Sequence, residues 1–368
     1  MPDCPANIRE TKIAVGFVPQ TTLTTPNLLA DMWSFTKTNA TNMAVTPTTE
    51  TDAADIGKGD EFPTQVFPVS MDATVAVEKY ASSEFLAWVF AFATGNVVKT
   101  AAGTGWKYCA DPSDPAVACI NLPPFTYAEQ IRTPPDSIVD QAAVGTVVND
   151  FTLTMESGPG RANCRVTANF IGTGKVVTPA SGPPTSYTPW PAVTTEHFLN
   201  AASAAITIGG IDYVLGGGFI SLTFSWNNNV RTDSGYYPGS GIDANGFAIR
   251  GRMEYNTREC TLAFVARARK GSPELAALLA QTPGACSIKL TGAQIAVGPP
   301  VVNHGMEITI PKAVFSAVVN GEADGIVTVN CNVSPLKDTT TGKYVTMCAT
   351  TTKAGIIALA EIAEPQAA

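Results

Sequence analysis

Apolar residues recur along this chain in short strand-like runs separated by polar, glycine- and proline-rich links. Thr74-Val75-Ala76-Val77, Thr261-Leu262-Ala263-Phe264, Val147 through Met155, Cys164 through Ile171, Met306 through Ile310 and Ile326 through Val333 are such runs. They predict a mainly β fold. Two segments break the pattern. Phe85, Trp88 and Val89, and again Leu275, Leu278 and Leu279, fall at i, i+3 and i+4 behind a serine and an acid, which is a helix signature. The first helix is predicted from Ser82 to near Gly95. The second starts at Ser272-Pro273-Glu274 and stops at Pro283-Gly284.

The two helices lie 190 residues apart, and their surroundings match. Each half reads strand, long loop, strand, helix, strand, loop, strand. The long loops are Thr36 to Phe67 and Asn227 to Gly246. This order predicts one unit used twice, with residues 1–190 as the first copy, 191–350 as the second and 351–368 as a tail. The first copy carries an insertion at 97–144, and the proline-rich stretch from Pro179 to Pro191 suits the crossing.

Composition narrows the class. Charged residues make up 15%, against roughly 25% in ordinary soluble proteins, while apolar residues reach 45%. Disorder is excluded, and so sparse a charge suggests a surface covered by neighbouring chains. The 23 basic and 31 acidic residues leave −8, the wrong sign for gripping nucleic acid. Met1-Pro2-Asp3-Cys4 lacks a signal-peptide pattern. The most apolar run, Phe85 to Ala93, is far shorter than the ~20 residues that span a bilayer. No membrane segment is expected. The eight cysteines (Cys4, Cys109, Cys119, Cys164, Cys260, Cys286, Cys331, Cys348) have no zinc-type spacing, and reduced thiols are the expectation. The sequence leaves open whether Cys109 bonds Cys119.

Candidate chemistry is thin. His197, beside Glu196, and His304, after Asn303, are the only histidines and read as surface residues. No nucleophile elbow or metalloprotease motif accompanies them. Gly172-Thr173-Gly174-Lys175 resembles a phosphate loop but lacks a following helix, so it reads as a turn. Arg250, Arg252, Arg258, Arg267, Arg269 and Lys270 form the one basic stretch; with Glu254 and Glu259 interleaved it reads as a subunit seam or a solvated face. Placed on an extended strand, Arg250, Arg252 and Glu254 would share a face. Catalytic, cofactor and metal sites are all expected to be absent.

The passage from Met71 through Val77 into Ser83-Glu84-Phe85-Leu86, the run Phe224-Ser225-Trp226-Asn227-Asn228-Asn229, the strand Arg258 through Ala263 before Ser272-Pro273-Glu274-Leu275, and the strands from Glu307 through Val329 carry a likeness. In these parts the chain resembles tail tube proteins of long-tailed, noncontractile bacteriophages. The resemblance implies two tandem β-barrel or sandwich units, each with a flanking helix and a long hairpin loop. It implies a structural virion protein made in the host cytoplasm, not an enzyme, whose rings stack into a tube that DNA traverses. A doubled chain would close a pseudo-sixfold ring from three copies. Implied partners are further copies of the chain, the tape measure, distal tail and terminator proteins, and DNA in transit. Asp72, Glu78, Glu254 and Glu259, placed on strands adjoining the helices, are candidate lumen acids. Asp52, Asp55, Asp60, Glu61, Arg231, Tyr236 and Tyr237 are candidates for inter-subunit loops. A terminator or capsid decoration protein is the alternative; a carbohydrate-binding sandwich using Trp106, Tyr108, Trp190 or Tyr236-Tyr237 is a more distant one.

Overall fold

The computed structural model describes residues 12–36, 38, 43–51, 65–112, 122–133, 137–157, 164–177, 191–214, 218–243, 245–296, 301–323 and 325–356. The first half runs β1 (Lys12–Gly16), β2 (Met32–Phe35), β3 (Ala44–Thr51), β4 (Val66–Tyr80), α1 (Ser83–Thr94), β5 (Val97–Ala102), β6 (Gly105–Ala110), β7 (Phe125–Thr133), β8 (Ser137–Glu156), β9 (Cys164–Ile171) and β10 (Val176–Val177). The second runs β11 (Ala204–Ile208), β12 (Ile211–Asp212), β13 (Phe219–Asn227), β14 (Glu259–Arg267), α2 (Pro273–Ala280), β15 (Gly284–Ala296), β16 (Val302–Ala323), β17 (Ile326–Pro335) and β18 (Thr346–Thr351). The fold is mainly β, and all the strand ladders are antiparallel.

The pairings repeat. In the first half β1 pairs with β2 and β7, β7 with β8, β8 with β9 and β10, β9 with β4, and β4 with β3. In the second half β11 pairs with β12 and β15, β15 with β16, β16 with β17 and β18, β17 with β14, and β14 with β13. The strands without a counterpart are β5 and β6, a hairpin whose β6 pairs with β18. β7 and the start of β8, read from the sequence as part of the insertion, have counterparts in β15 and the start of β16.

Two long strands turn the corners. β8 pairs with β7 over its first half and with β9 over its second, with a register shift between Val148 and Asp150. β16 passes from β15 to β17 in the same way, with a shift between Phe315 and Ala317. Such bulges bend a strand and let it serve two sheets. At the turn after β9, Gly174 adopts φ +94°, and a side chain there would strike the Met71 carbonyl.

One apolar cluster runs through both halves, from Ile13 to Ile356. Its centre is α1. Ser82 caps this helix by accepting from the Phe85 amide at 3.3 Å, and Gly95 ends it in the left-handed region at φ 76°. All twelve residues of α1 are buried. Apolar character all round the helix suits that position, and the Trp88 indole donates to the Gly16 carbonyl at 2.8 Å. At α2 the expected serine cap is absent: Ser272 sits at φ 42° and its side chain caps nothing, while Gln281, also left-handed, ends the helix ahead of Gly284.

Candidate functional site: a polar sheet face, two sheet edges and a charged junction

Eight strands lie side by side in the order β3, β4, β9, β8, β13, β14, β17, β16, with β8 and β16 contributing their second halves. Alternation gives this sheet two unlike faces. On β4 the buried positions are Met71, Ala73, Val75, Val77 and Lys79, so Asp72, Thr74 and Glu78 point the other way. On β9, β8, β13, β14 and β17 that outer face carries Thr167, Asn169, Thr152, Thr154, Thr223, Ser225, Thr261, Asn330 and Asn332. Small neutral polar groups dominate it. Its charges are Asp72, Glu78, Asp150, Glu156 and Glu259 against Arg165 and Arg267.

Several of these acids are engaged. Arg250, fully buried, reaches Asp72 with Nη2 and donates from Nη1 to the Gly172 carbonyl at 2.9 Å. Arg165 meets Glu78 at 3.2 Å, and Asn149 and Asn169 donate to Asp150 at 2.7 and 2.6 Å. Glu259 opens β14 and is exposed. Glu254, expected on the same strand, lies in the loop before it, where its carbonyl accepts from the Arg231 amide at 2.8 Å. Arg250, Arg252 and Glu254 therefore do not share a strand face, because residues 250–258 are irregular and bridge only at Tyr255. Asp150 and Glu156 were missed by sequence reasoning. Counting alternate positions from Asp150 through Thr152 and Thr154 to Glu156 would have found them.

The loops expected to reach neighbours divide. Asp52, Asp55, Asp60 and Glu61 lie outside the described residues, as does Trp190. Arg231 and Asp233 form an exposed pair at 3.2 Å, and Tyr237 is 40% exposed. Tyr236 instead lies under the Arg250 guanidinium, 5.2 Å from its ring centre. This loop folds back on the first half: the Ala248 amide donates to Val69 and the Arg250 amide to Thr173, at 2.9 and 3.0 Å. The Gly172–Lys175 segment is thus a turn gripped by Arg250. Tyr108 is buried, with its hydroxyl on the Lys353 carbonyl at 2.8 Å, and Trp106 lies under the Lys99 ammonium, so these two do not make an open sugar platform.

The sheet joins the halves at β8 and β13, where Trp226 faces Phe151 and Asn227 faces Asp150. β13 is therefore paired on both sides. Its counterpart β3 pairs, among the described residues, with β4 alone, and all eight of its residues are exposed. The second half of β16 likewise pairs only with β17. Among the described residues, each chain thus carries one completed join and two edges without a partner strand.

Behind the sheet, α1 meets the second half at a charged junction. Lys79 is buried against Glu196, which also accepts from Ser82 Oγ at 2.7 Å and Thr36 Oγ1 at 3.0 Å. Burial lowers the Lys79 pKa to about 8, although Glu196 pulls it up. Glu84, fully buried, accepts from the His197 amide at 2.9 Å, from Thr351 Oγ1 at 3.0 Å, and faces His197 Nδ1 at 2.9 Å and His304 Nδ1 at 3.4 Å. The imidazoles stack with centres 3.6 Å apart, and Ser83 Oγ lies 2.9 Å from His304 Nδ1. The reading of His304 as a surface residue is corrected here, while His197 is partly exposed. His304 is 2% exposed and His197 shares its carboxylate, because α1 needs a partner for the buried acid in its first turn. Burial, with the neighbouring His197, holds His304 below the ordinary histidine range, and the bonds from His197 hold Glu84 low against its own burial. Nearby, Cys109 and Cys348, directly opposed on β6 and β18, are disulfide-bonded. That corrects the expectation of reduced thiols at this pair; Cys164, Cys260, Cys286 and Cys331 are free and buried, and Cys119 lies outside the described residues.

A polar, weakly acidic sheet face whose two edge strands lack a partner on one side among the described residues suits a protein that assembles by strand pairing. Comparison with known families agrees: the family model described as phage tail tube protein matches residues 11–335. The chain belongs to the phage tail tube protein family, a family of structural tail proteins located in the virion and assembled into a tube with other tail proteins. No curated protein matches the chain. Among the described residues, no helix is long and apolar enough to cross a membrane.

Proposed function

We propose that the chain is a doubled tube unit, that three copies close a pseudo-sixfold ring, and that stacked rings form the hollow conduit for DNA ejection. The observation that carries this reading is the β8–β13 join. Within one chain it fuses the sheet of the first half to that of the second, edge to edge. Repeating the same join between chains would pair the second half of β16 with β3 of the next copy. The ring of sheets would then close and leave no open edge.

The internal join also sets the register. After the two bulges, Phe151 and Val318 hold the same position, opposite Ala168 and Cys331. Trp226 and Val45 likewise correspond, opposite Cys260 and Ala73. Trp226 faces Phe151 within the chain; Val45 would therefore face Val318 of the neighbouring copy, and Ala44 would face Val319.

The polar face of this closed sheet is the proposed lumen wall. Ser, Thr and Asn side chains, with five carboxylates outnumbering Arg165 and Arg267, offer phosphates little cation attraction or counterion release, so DNA would find no strong place to bind. Tape measure protein would occupy the lumen before ejection, and distal tail and terminator proteins would meet the end rings. A chain carrying Val45→Cys and Val318→Cys tests the ring. Oxidised assemblies should give covalent circles of three chains on a non-reducing gel, with neither single variant cross-linking. Circles of six, or no cross-link in assembled tubes, would refute the arrangement.

A further inference from the structure

We propose that Glu84, His197 and His304 form a binding site for a divalent transition metal of the zinc type, one that ties the two halves of the chain together. The three side chains come from distant parts of the sequence: the first turn of α1, the segment preceding β11, and the start of β16. Their ligand atoms lie within 4.8 Å of one another. The Glu84 Oε1 edges to the two Nδ1 atoms measure 2.9 and 3.4 Å. Ligands held at zinc-bond lengths in a tetrahedron sit about 3.3 Å apart, so the triangle has the size of a coordination face.

The donor set suits the ion. Imidazole nitrogen with one carboxylate oxygen is a common zinc set that leaves a fourth position for water. Both Nδ1 atoms converge on one carboxylate oxygen, and a cation between the three would draw on all of them. Orienting groups are in place as well: the His197 amide holds Glu84 Oε2 at 2.9 Å, and Thr351 Oγ1 holds Oε1 at 3.0 Å. Binding requires the stacked rings to fan apart until each Nδ1 lone pair lies in its ring plane, and Ser83 Oγ to release His304. An ion can reach the site, because the His197 side chain is 31% exposed and His304 lines a cleft of about 360 Å³.

The consequence is mechanical. Glu84 belongs to the first half, and His197 and His304 to the second, so a bound ion would clamp the junction that the β6–β18 disulfide already spans. The test uses the full chain, purified without an affinity tag and stripped with a chelator. Titration with cobalt(II) should give the visible absorption of a tetrahedral site at one equivalent per chain, and zinc should displace it. His197 is the most exposed ligand, and its backbone amide still bonds Glu84 after truncation, so His197→Ala should keep the unfolding transition while losing that equivalent. His197→Cys should restore it with an added cobalt–thiolate band. A wild-type chain that takes up neither cobalt nor zinc, or an uptake unchanged by His197→Ala, would overturn the proposal.

Discussion

The two helices announce themselves in the sequence in the same way and end in different surroundings. Both place an acid in the first turn and apolar residues at i, i+3 and i+4. Yet α1 is buried over all twelve residues, whereas α2 buries only Glu274 and leaves Leu275 and Leu279 43% and 77% exposed. The difference lies in what covers them. α1 is enclosed by β6, by β8 and by β16 and β18 of the second half, while α2 packs on β16 of its own half. Their buried glutamates differ likewise: Glu84 is surrounded by hydrogen-bond partners, but Glu274 has the Tyr213 hydroxyl at 3.1 Å on one oxygen and nothing on the other. A helix signature states that a helix forms. Its burial is decided by the neighbouring unit, which for α1 is supplied by the same chain.

The contrast is sharpest in the cores. Trp88→Ala should cost about 3–5 kcal/mol in denaturant unfolding, as for other buried aromatics. Leu279→Ala should cost under about 0.5 kcal/mol in the isolated chain; equal costs at the two sites would erase the distinction. Next comes the disulfide, which fastens the cover of α1. Replacing Cys109 and Cys348 together by alanine should lower stability by about 3 kcal/mol, again with no counterpart at α2.

Alkaline pH should weigh mainly on the second half, which holds three of the four free buried thiols among the described residues. Burial pushes the free thiols Cys164, Cys260, Cys286 and Cys331 above the ordinary range, Cys331 to about 12. Unfolded thiols lose their protons near pH 8.5 while the folded ones keep them. Their stabilising contribution is therefore complete below that pH and drains away as the pH rises, by about 1.4 kcal/mol per unit for a fully buried thiol. Lys79, lowered to about 8 from 10.5, acts in the opposite sense between those values, one group against four. Urea unfolding at pH 8 and pH 10 should show the loss, and Cys260→Val with Cys331→Val should flatten it more than Cys164→Val does. The smallest effects are at the caps. Ser82→Ala should cost about 1 kcal/mol, whereas Ser272→Gly should stabilise by up to about 1 kcal/mol by relieving its left-handed backbone. Equal responses in thermal unfolding would mean that the caps do not differ.

Much of the fold was legible because its signals are local. Ser82, Glu84 and Gly95 bracket α1, and the strand runs through Val75, Leu153, Val166, Ile308 and Val329 all lie within observed strands. Asp72 and Glu78 share the polar face of β4, which follows from their spacing alone. What escaped is long-range. Nothing near His197 or His304 in the sequence tells that each turns onto Glu84, more than a hundred residues away in both cases. Arg250 looked like part of a basic surface run, although its partners Asp72 and Gly172 bury it completely. Cys348 gave no sign that β18 would lie beside β6. These are contacts between the halves, and local periodicity carries no information about them.

The central claim is that one chain supplies two of six positions in a ring. Native mass spectrometry of rings released from assembled tubes counts the chains directly: three per ring is the expected result, and six would contradict the account.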